Sequence, residues 1–248
     1  MQMVREWDAR TYDSLPLPHT NWGRRTLARL DLRGVKRVLD AGCGTGRDTQ
    51  LLLDLAPDVR VVAVDGSRAM LEQLRVLLAD QSDRVEILQA DLTKPLPLEG
   101  HVDAVFSVAT FHWISDHDTL FRNLAGVLRP GGQFVADCGG QGNVARIADA
   151  IEDVLGESPP IWNFAGADET KRRLEDAGFT DIEVALDPDP CRVEPGEQFE
   201  SYLVTLVLGA HLDRLPKQEH AEFVRAVVER LPEPVVDYVR LTFLAKKA

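Results

Sequence analysis

The loop Asp40-Ala41-Gly42-Cys43-Gly44-Thr45-Gly46 carries the strongest chemical signal in the chain. Positions without side chains let a ligand come against the backbone, where main-chain N–H groups and the start of the following helix can meet it. Two acids follow at intervals that suit a nucleoside: Asp65, nineteen residues after Gly46, and Asp91 in Gln89-Ala90-Asp91-Leu92. An ionised carboxylate only accepts hydrogen bonds, so Asp65 can take both hydroxyl protons of a ribose and Asp91 the amino protons of an adenine. Each also has a plainer reading, Asp65 as a cap for the next helix and Asp91 as a solvated strand-end acid. The glycine spacing is GxGxG, and Arg47 stands where a dinucleotide fingerprint needs its third glycine, which argues against NAD.

The elements that must hold these residues follow from periodicity. Arg37-Val38-Leu39-Asp40-Ala41 reads as a buried strand ending in the loop, and Val61-Val62-Ala63-Val64-Asp65 as the next strand. Between them Leu51, Leu52 and Leu55 mark a helix stopped by Pro57, and after the second strand Ser67 caps a helix with Met70, Leu71, Leu74, Leu77 and Leu78 on one side. Strands follow at residues 85–88 and 102–107. A helix with Leu120, Phe121, Leu124, Val127 and Leu128 then closes at Pro130-Gly131-Gly132 before the strand at 133–136. A helix over about 168–177 ends at Gly178 and leads to alternating Ile182, Val184 and Leu186. Helical patterns around Phe199, Leu203, Leu206 and Ala210 and around Phe223, Val224, Val227 and Leu231 interrupt the sheet, and a last strand-like run covers 238–244. Strands alternating with helices predict an α/β protein with a mostly parallel seven-stranded sheet and helices on both faces. The predicted organisation is a single domain, 1–248: an N-terminal cap segment at 1–30, a core sheet at 36–187 and 234–248, and an inserted helical cap at 188–233.

Taken in order, Val38 to Gly46, Val64-Asp65-Gly66-Ser67, Ala90-Asp91-Leu92 and Leu128-Arg129-Pro130-Gly131-Gly132 resemble the class I S-adenosylmethionine-dependent methyltransferases across residues 36–140. The resemblance implies a Rossmann-like sheet with an antiparallel last strand, and S-adenosylmethionine as cofactor. It implies that the glycine loop, from Asp40 through Gly42 and Gly44, lies against the methionine part, with the Gly42 carbonyl reaching its amino group. Asp65, with Gly66 beside it, would hold the ribose, Asp91 the adenine amino group and Leu92 the adenine face or a ring nitrogen. Ser107 would border the methionine through its backbone, and Tyr12 fits the family's N-terminal tyrosine at that end.

Past the fourth strand comes Ala109-Thr110-Phe111-His112-Trp113-Ile114-Ser115-Asp116, whose Phe-His-Trp run is similar to the trans-aconitate methyltransferase group of small-molecule carboxyl methyltransferases. His112 suits proton removal at neutral pH if the acceptor is a hydroxyl. A carboxylate acceptor needs no base, and a loop histidine can simply bond nearby backbone. Trp113 reads either as a pocket wall beside the sulfonium or as core packing. Trp22, Trp162 and Phe164 lie outside the predicted sheet, where with the helices of 197–231 they form a substrate lid or merely cover a sheet edge.

Forty acidic against twenty-eight basic residues give a net charge of −12, a field that repels a phosphate backbone, so nucleic acid is not expected as a partner. No apolar leader or membrane-length run is visible in the sequence, which reads as cytoplasmic. The three cysteines are scattered, with no zinc spacing and no disulfide framework, and no metal is expected. The expected activity is methyl transfer from S-adenosylmethionine to a small molecule, with a carboxylate oxygen as acceptor. N- or C-methylation on the same fold and non-catalytic cofactor binding are the alternatives.

Overall fold

The structure is a computed structural model that describes Glu6 and residues 19–157 and 159–248. Tyr12 and most of the expected N-terminal cap lie outside the described residues.

Helix α1 (His19–Leu27) precedes strand β1 (Arg37–Ala41), and the chain then alternates through α2 (Arg47–Leu55), β2 (Arg60–Asp65), α3 (Arg68–Leu77) and β3 (Val85–Gln89). Strand β4 (Val102–Val108), a 3₁₀ turn at Phe111–Trp113, α4 (His117–Val127) and β5 (Leu128–Gly139) follow. Next come α5 (Ala145–Leu155), α6 (Ala167–Asp176), β6 (Phe179–Pro188) and a two-residue strand β7 (Cys191–Arg192). The chain ends with α7 (Glu197–Leu203), a π-helical turn at Val204–Leu208, α8 (Gly209–Leu212), α9 (His220–Val228), β8 (Val235–Val236) and β9 (Val239–Lys247).

Seven strands form one sheet in the order β3-β2-β1-β4-β5-β9-β6, with β9 antiparallel to both neighbours. The predicted antiparallel last strand is therefore present. It runs from 239 to 247, longer at its C-terminal end than the apolar run suggested. The order reverses between β1 and β4, and in such sheets ligands bind outside the carboxyl ends of the strands at the reversal.

Period-two alternation sorts the strands onto two faces. Val38, Val61, Ala63, Phe106 and Val135 pack on one face with Trp22 of α1, Leu52 of α2, Leu74 of α3 and Ile147 of α5. Leu39, Val62, Val105, Phe134 and Phe243 pack on the other with Leu120 and Phe121 of α4 and Leu174 of α6. The inserted helices join the first face: Phe199, Leu203, Phe223 and Val227 belong to the same apolar core as the strands. The ribbon β7–β8, in register Cys191↔Val236 and Arg192↔Val235, ties the two ends of this insertion together. Helix α5 was not expected; its apolar stripe of Ile147, Ala150 and Ile151 begins just after the glycines at 139, 140 and 142. Among the described residues no helix is long and apolar enough to cross a membrane.

Candidate active site

The glycine loop leaves β1 with the Gly42 and Cys43 amides donating to the Val64 carbonyl at 2.8 and 2.9 Å, which fixes the loop to the end of β2. Each glycine has a separate reason. Gly42 (φ +85) presses on Thr110, whose side chain would lie 2.2 Å from a Cβ and whose Oγ1 donates to the Gly42 carbonyl at 3.1 Å. Gly46 (φ +92) presses on Leu74, 2.8 Å from a Cβ. Among the described residues Gly44 (φ +54) has nothing within 4 Å of where a Cβ would lie, so that face is the one a ligand can occupy.

Asp65 ends β2 with both oxygens engaged: Oδ2 accepts from the Gly44 amide at 2.9 Å and Oδ1 from the Ser67 amide at 2.8 Å. Burial pushes its carboxyl above the usual range, against the pull of the Ser67, Gly44 and Gly66 amides. The cap of α3 is Ser67, whose Oγ accepts from the Met70 amide, so the capping reading of Asp65 gives way to that of a loop anchor. Glu6, which the sequence reading did not single out, bonds Ser67 Oγ at 2.8 Å and the Arg68 and Ala69 amides at 3.1 and 3.2 Å, next to Asp65.

Asp40 is buried beneath the loop, and its Oδ2 accepts from Thr49 Oγ1 at 2.5 Å. Burial pushes its carboxyl well above the ordinary range. It shapes the loop by joining β1 to the first turn of α2. The Ala90 amide donates to the Asp65 carbonyl at 3.1 Å, which brings Asp91 and the buried Leu92 up beside β2. Asp91 Oδ1 closes a local turn by accepting from the Thr93 amide at 2.9 Å and Thr93 Oγ1 at 2.6 Å. Buried Ser107 donates from Oγ to the Ala41 carbonyl at 2.6 Å, pinning β4 to β1 at the loop.

His112 lies in the 3₁₀ turn after β4, 9% exposed, with its Nδ1 accepting from the Gly139 amide at 3.2 Å. Trp113, Phe164, Trp162 and His211 extend a ring cluster from it, with centroids 5.2 Å apart for His112–Trp113, 5.9 Å for His112–Phe164, 5.4 Å for Trp162–Phe164 and 4.9 Å for Trp162–His211. Two of the three tryptophans predicted for the acceptor are therefore near His112. Trp22 is not among them: it is 1% exposed, edge-on to Tyr238 at 5.0 Å and covered by the Arg240 guanidinium at 3.7 Å, and its Nε1 donates to Asp189 at 2.7 Å. Its ring is held in the first-face core. Among the described residues no group of three or more His, Cys, Asp or Glu side chains is arranged to hold a metal ion.

A methyltransferase domain family matches residues 38–132. A trans-aconitate 2-methyltransferase of Acidovorax sp. is 33% identical over 244 residues, which covers 93% of this chain and 90% of the relative. The chain belongs to the class I S-adenosylmethionine-dependent methyltransferases. A trans-aconitate 2-methyltransferase of Azoarcus sp. is 40% identical over 126 residues, a stretch that spans 51% of this chain and only about half, 48%, of the relative. Among solved structures, phosphoethanolamine N-methyltransferase 2 of Haemonchus contortus in complex with S-adenosyl-L-methionine aligns with a TM-score of 0.65 at 19% identity, covering 96% of this chain and 56% of that one. That likeness carries the fold alone.

The methyltransferase's cofactor is S-adenosylmethionine, and the chain's residues fit it. Among the described residues no atom lies within 4 Å of the open side of Gly44, and the Asp65 carboxylate is fixed beside it by the same loop.

Asp48 gives the site a pH signature. Its carboxyl presses on α1 where a Cβ at Gly23 would lie 1.8 Å from Oδ1. Burial pushes its pKa up to about 7, with Arg47 lowering it and Asp137 raising it. The folded state therefore holds this proton more tightly than the unfolded chain does. The Asp48 contribution to stability falls as pH rises from the ordinary 3.8 through about 7 and is level above. Asp48→Asn should be more stable than the parent by a margin that opens between pH 5 and pH 8 to roughly 2–4 kcal/mol. Urea unfolding of both proteins at the two pH values measures it, and an equal margin at both would remove Asp48 as the cause.

Proposed function

We propose that this methyltransferase transfers the methyl group of S-adenosylmethionine to a carboxylate oxygen of a small organic acid. The observation that carries the reading is the ring cluster of His112, Trp113, Trp162 and Phe164 on the turn whose Thr110 bonds the Gly42 carbonyl, on a chain whose near full-length relative is a trans-aconitate 2-methyltransferase.

In this reading Asp65 accepts from the ribose hydroxyls, with Gly66 keeping the backbone narrow beside it. Asp91 and Leu92 receive the adenine, while Gly42, Gly44 and Ser107 line the methionine end on the frame that Asp40 braces. When bound, the cofactor supplies a methyl carbon on a sulfonium, and the acceptor oxygen's electron pair forms the new C–O bond as the C–S pair returns to sulfur. The protein's part is alignment and exclusion of water, and orientation of this kind is worth roughly 7–11 kcal/mol of barrier in favourable cases. Trp113 and Trp162 wall the acceptor, and His112 fixes it. Trp22, engaged by Arg240, Tyr238 and Asp189, supports the site from the core and is left out of the wall. The insertion carrying α7, α8 and α9 brings His211 to Trp162 and covers the acceptor side.

The test is turnover of a panel of carboxylic acids that includes trans-aconitate, with S-adenosylmethionine as donor. A product heavier by one methyl group that mild base hydrolyses back to the acid is expected. A base-stable product, or turnover of amines alone, would replace the reading with N- or C-methylation. Binding of S-adenosylhomocysteine with no turnover anywhere would leave a cofactor-binding protein.

A further inference from the structure

We infer that His117 and Arg173 are positioning residues for methyl transfer: together they hold the turn at Phe111–Trp113 in place against the glycine loop, and they do so while the His117 ring is neutral. The inference rests on the reading above, in which the acceptor meets the His112–Trp113 turn, and deepens it.

The Phe111 carbonyl has two lone pairs, and both are used. It accepts from the Ile114 amide at 2.9 Å, which closes the turn, and from His117 Nε2 at 2.9 Å. A carbonyl can only accept, so Nε2 carries the proton. On the other side of the ring Arg173 Nη1 stands 3.4 Å from Nδ1. A guanidinium can only donate, so Nδ1 presents its lone pair there. Both neighbours demand the same neutral tautomer, and an imidazolium would set its Nδ1–H against the N–H of Arg173.

The ring and its partner are themselves held. His117 is 1% exposed at the first position of α4, with its ring 5.6 Å from that of Phe121. Arg173, in the last turn of α6, pairs with Glu169 at 2.9 Å and with Asp118 at 3.7 Å. The charged groups around the ring are therefore Arg173 and Glu169 on α6 and Asp118 on α4, with Asp116 capping α4 by accepting from the Thr119 amide at 2.9 Å. Burial lowers the His117 pKa. The Phe111 bond opposes that shift, Arg173 adds to it, and Glu169 and Asp118 oppose it. The positive end of α4 also disfavours a charged ring at its first residue.

The turn links the two halves of the site. Thr110 Oγ1, next to Phe111, donates to the Gly42 carbonyl at 3.1 Å. Further along, the His112 carbonyl accepts from the Asn163 amide at 2.9 Å, and Asn163 Nδ2 donates to the Ile114 and Ser115 carbonyls at 3.1 and 3.0 Å. The glycine loop has its own ties to Val64 and Asp65. Releasing Phe111 should therefore shift the turn and leave the loop, so that the loss falls on alignment of the acceptor and not on cofactor affinity. A displacement of about 1 Å in such an alignment can cost about 10²-fold in rate. Because the folded state binds the His117 proton less readily than the unfolded chain does, the clasp is complete at pH 8 and weakens as pH falls below the ordinary 6.5 through the lowered folded value.

His117→Gln can keep an N–H on the Phe111 carbonyl without titrating, and His117→Leu cannot. With trans-aconitate at pH 8, kcat/KM should drop about 10- to 100-fold in His117→Leu and stay within about fivefold in His117→Gln, with S-adenosylhomocysteine affinity within about threefold of the parent in both. Between pH 8 and about pH 5.5, where ordinary carboxylic acids remain ionised, the parent should lose activity relative to His117→Gln. Arg173→Leu removes a positive neighbour while Glu169 and Asp118 stay, and should move that loss to higher pH. In protein labelled with ¹⁵N, long-range ¹⁵N–¹H spectra at pH 8 should show the His117 proton on Nε2, and the amide signals of residues 111–115 should shift as the ring titrates. A proton on Nδ1, or turn signals that ignore the titration, would overturn the inference. If acids are methylated and His117→Leu matches the parent, or loses cofactor affinity in the same proportion as activity, the positioning role falls and the acceptor reading stands. If the tautomer and the turn signals are as stated but no acid is methylated, the acceptor reading alone falls. Should His117→Leu fail to fold, the pH comparison of the parent with His117→Gln decides.

Discussion

Asp65→Ala should weaken S-adenosylhomocysteine binding by about 100-fold, close to 2.7 kcal/mol, while leaving the protein folded. The size follows from two losses in one residue. In the proposed role the carboxylate accepts from the ribose hydroxyls, and hydrogen bonds to a charged group are worth about 1.5–3 kcal/mol each. The same oxygens anchor the Gly44 and Ser67 amides at 2.9 and 2.8 Å, so without them the loop that shapes the pocket loses its tie to β2. Asp65→Asn should also bind poorly, because one oxygen becomes an NH₂ that faces an amide donor. Calorimetry on the parent and both variants gives the numbers, and an analogue lacking the ribose 2′-hydroxyl separates the two losses. It should bind the parent more weakly than S-adenosylhomocysteine but bind Asp65→Ala almost equally. A folded Asp65→Ala protein that binds within about threefold of the parent would move the ribose contact elsewhere.

The residues proposed for the cofactor were legible as candidates in the sequence because they sit at or near strand ends. Each strand's apolar run announces where it stops, and an acid lies at or beside each stop: Asp40 one residue before the end of β1, Asp65 at the end of β2 and Asp91 two residues past the end of β3. The parallel order then brings those ends to one edge of the sheet without further information. The acceptor side was less legible. Asn163 clamps the His112 turn from about fifty residues downstream, in a segment with no periodicity, and its type does not announce the contact. Trp22 and Trp162 look alike in sequence, both being tryptophans among breakers. Only the packing of α1 against the sheet, with Arg240 over the Trp22 ring, separates them. Helix α5 escaped notice because the glycines at 139–142 resemble a long loop. Gly139 in fact ends β5, where its amide meets His112, and the helix starts only at Ala145.

The same distance in sequence hides the feature with the largest predicted effect on stability. Asp137 on β5 and Arg240 on β9 form an ion pair at 2.7 Å with both side chains 2% exposed. The guanidinium also covers the Trp22 ring, which ties α1 to the sheet beside the turn that begins with Ala109, whose amide donates to the Asp137 carbonyl at 2.7 Å. Burial alone pushes the Asp137 carboxyl up, and Arg240 draws it back. Arg240 Nη2 has no hydrogen-bond partner among the described residues, so the pair is not fully satisfied even as it stands. A buried pair of this kind contributes little relative to an apolar substitute, yet breaking it is costly, because the remaining charge stays buried without compensation.

Arg240→Met should therefore destabilise the protein by about 3–5 kcal/mol, which for a chain of this size corresponds to a fall in Tm of roughly 8–15 °C. Adding Asp137→Asn should recover at least about 1.5 kcal/mol of that loss, since the stranded carboxylate is removed, although the contact on Trp22 is not restored. Thermal and urea unfolding of the parent, both single variants and the double variant form the cycle. Losses that simply add in the double variant would mean that the two side chains are independent, and that the tie of α1 to the sheet has another source. A recovery in stability accompanied by a persistent rise in the acceptor KM would instead locate the function of the pair in holding Trp22 and the His112 turn in register.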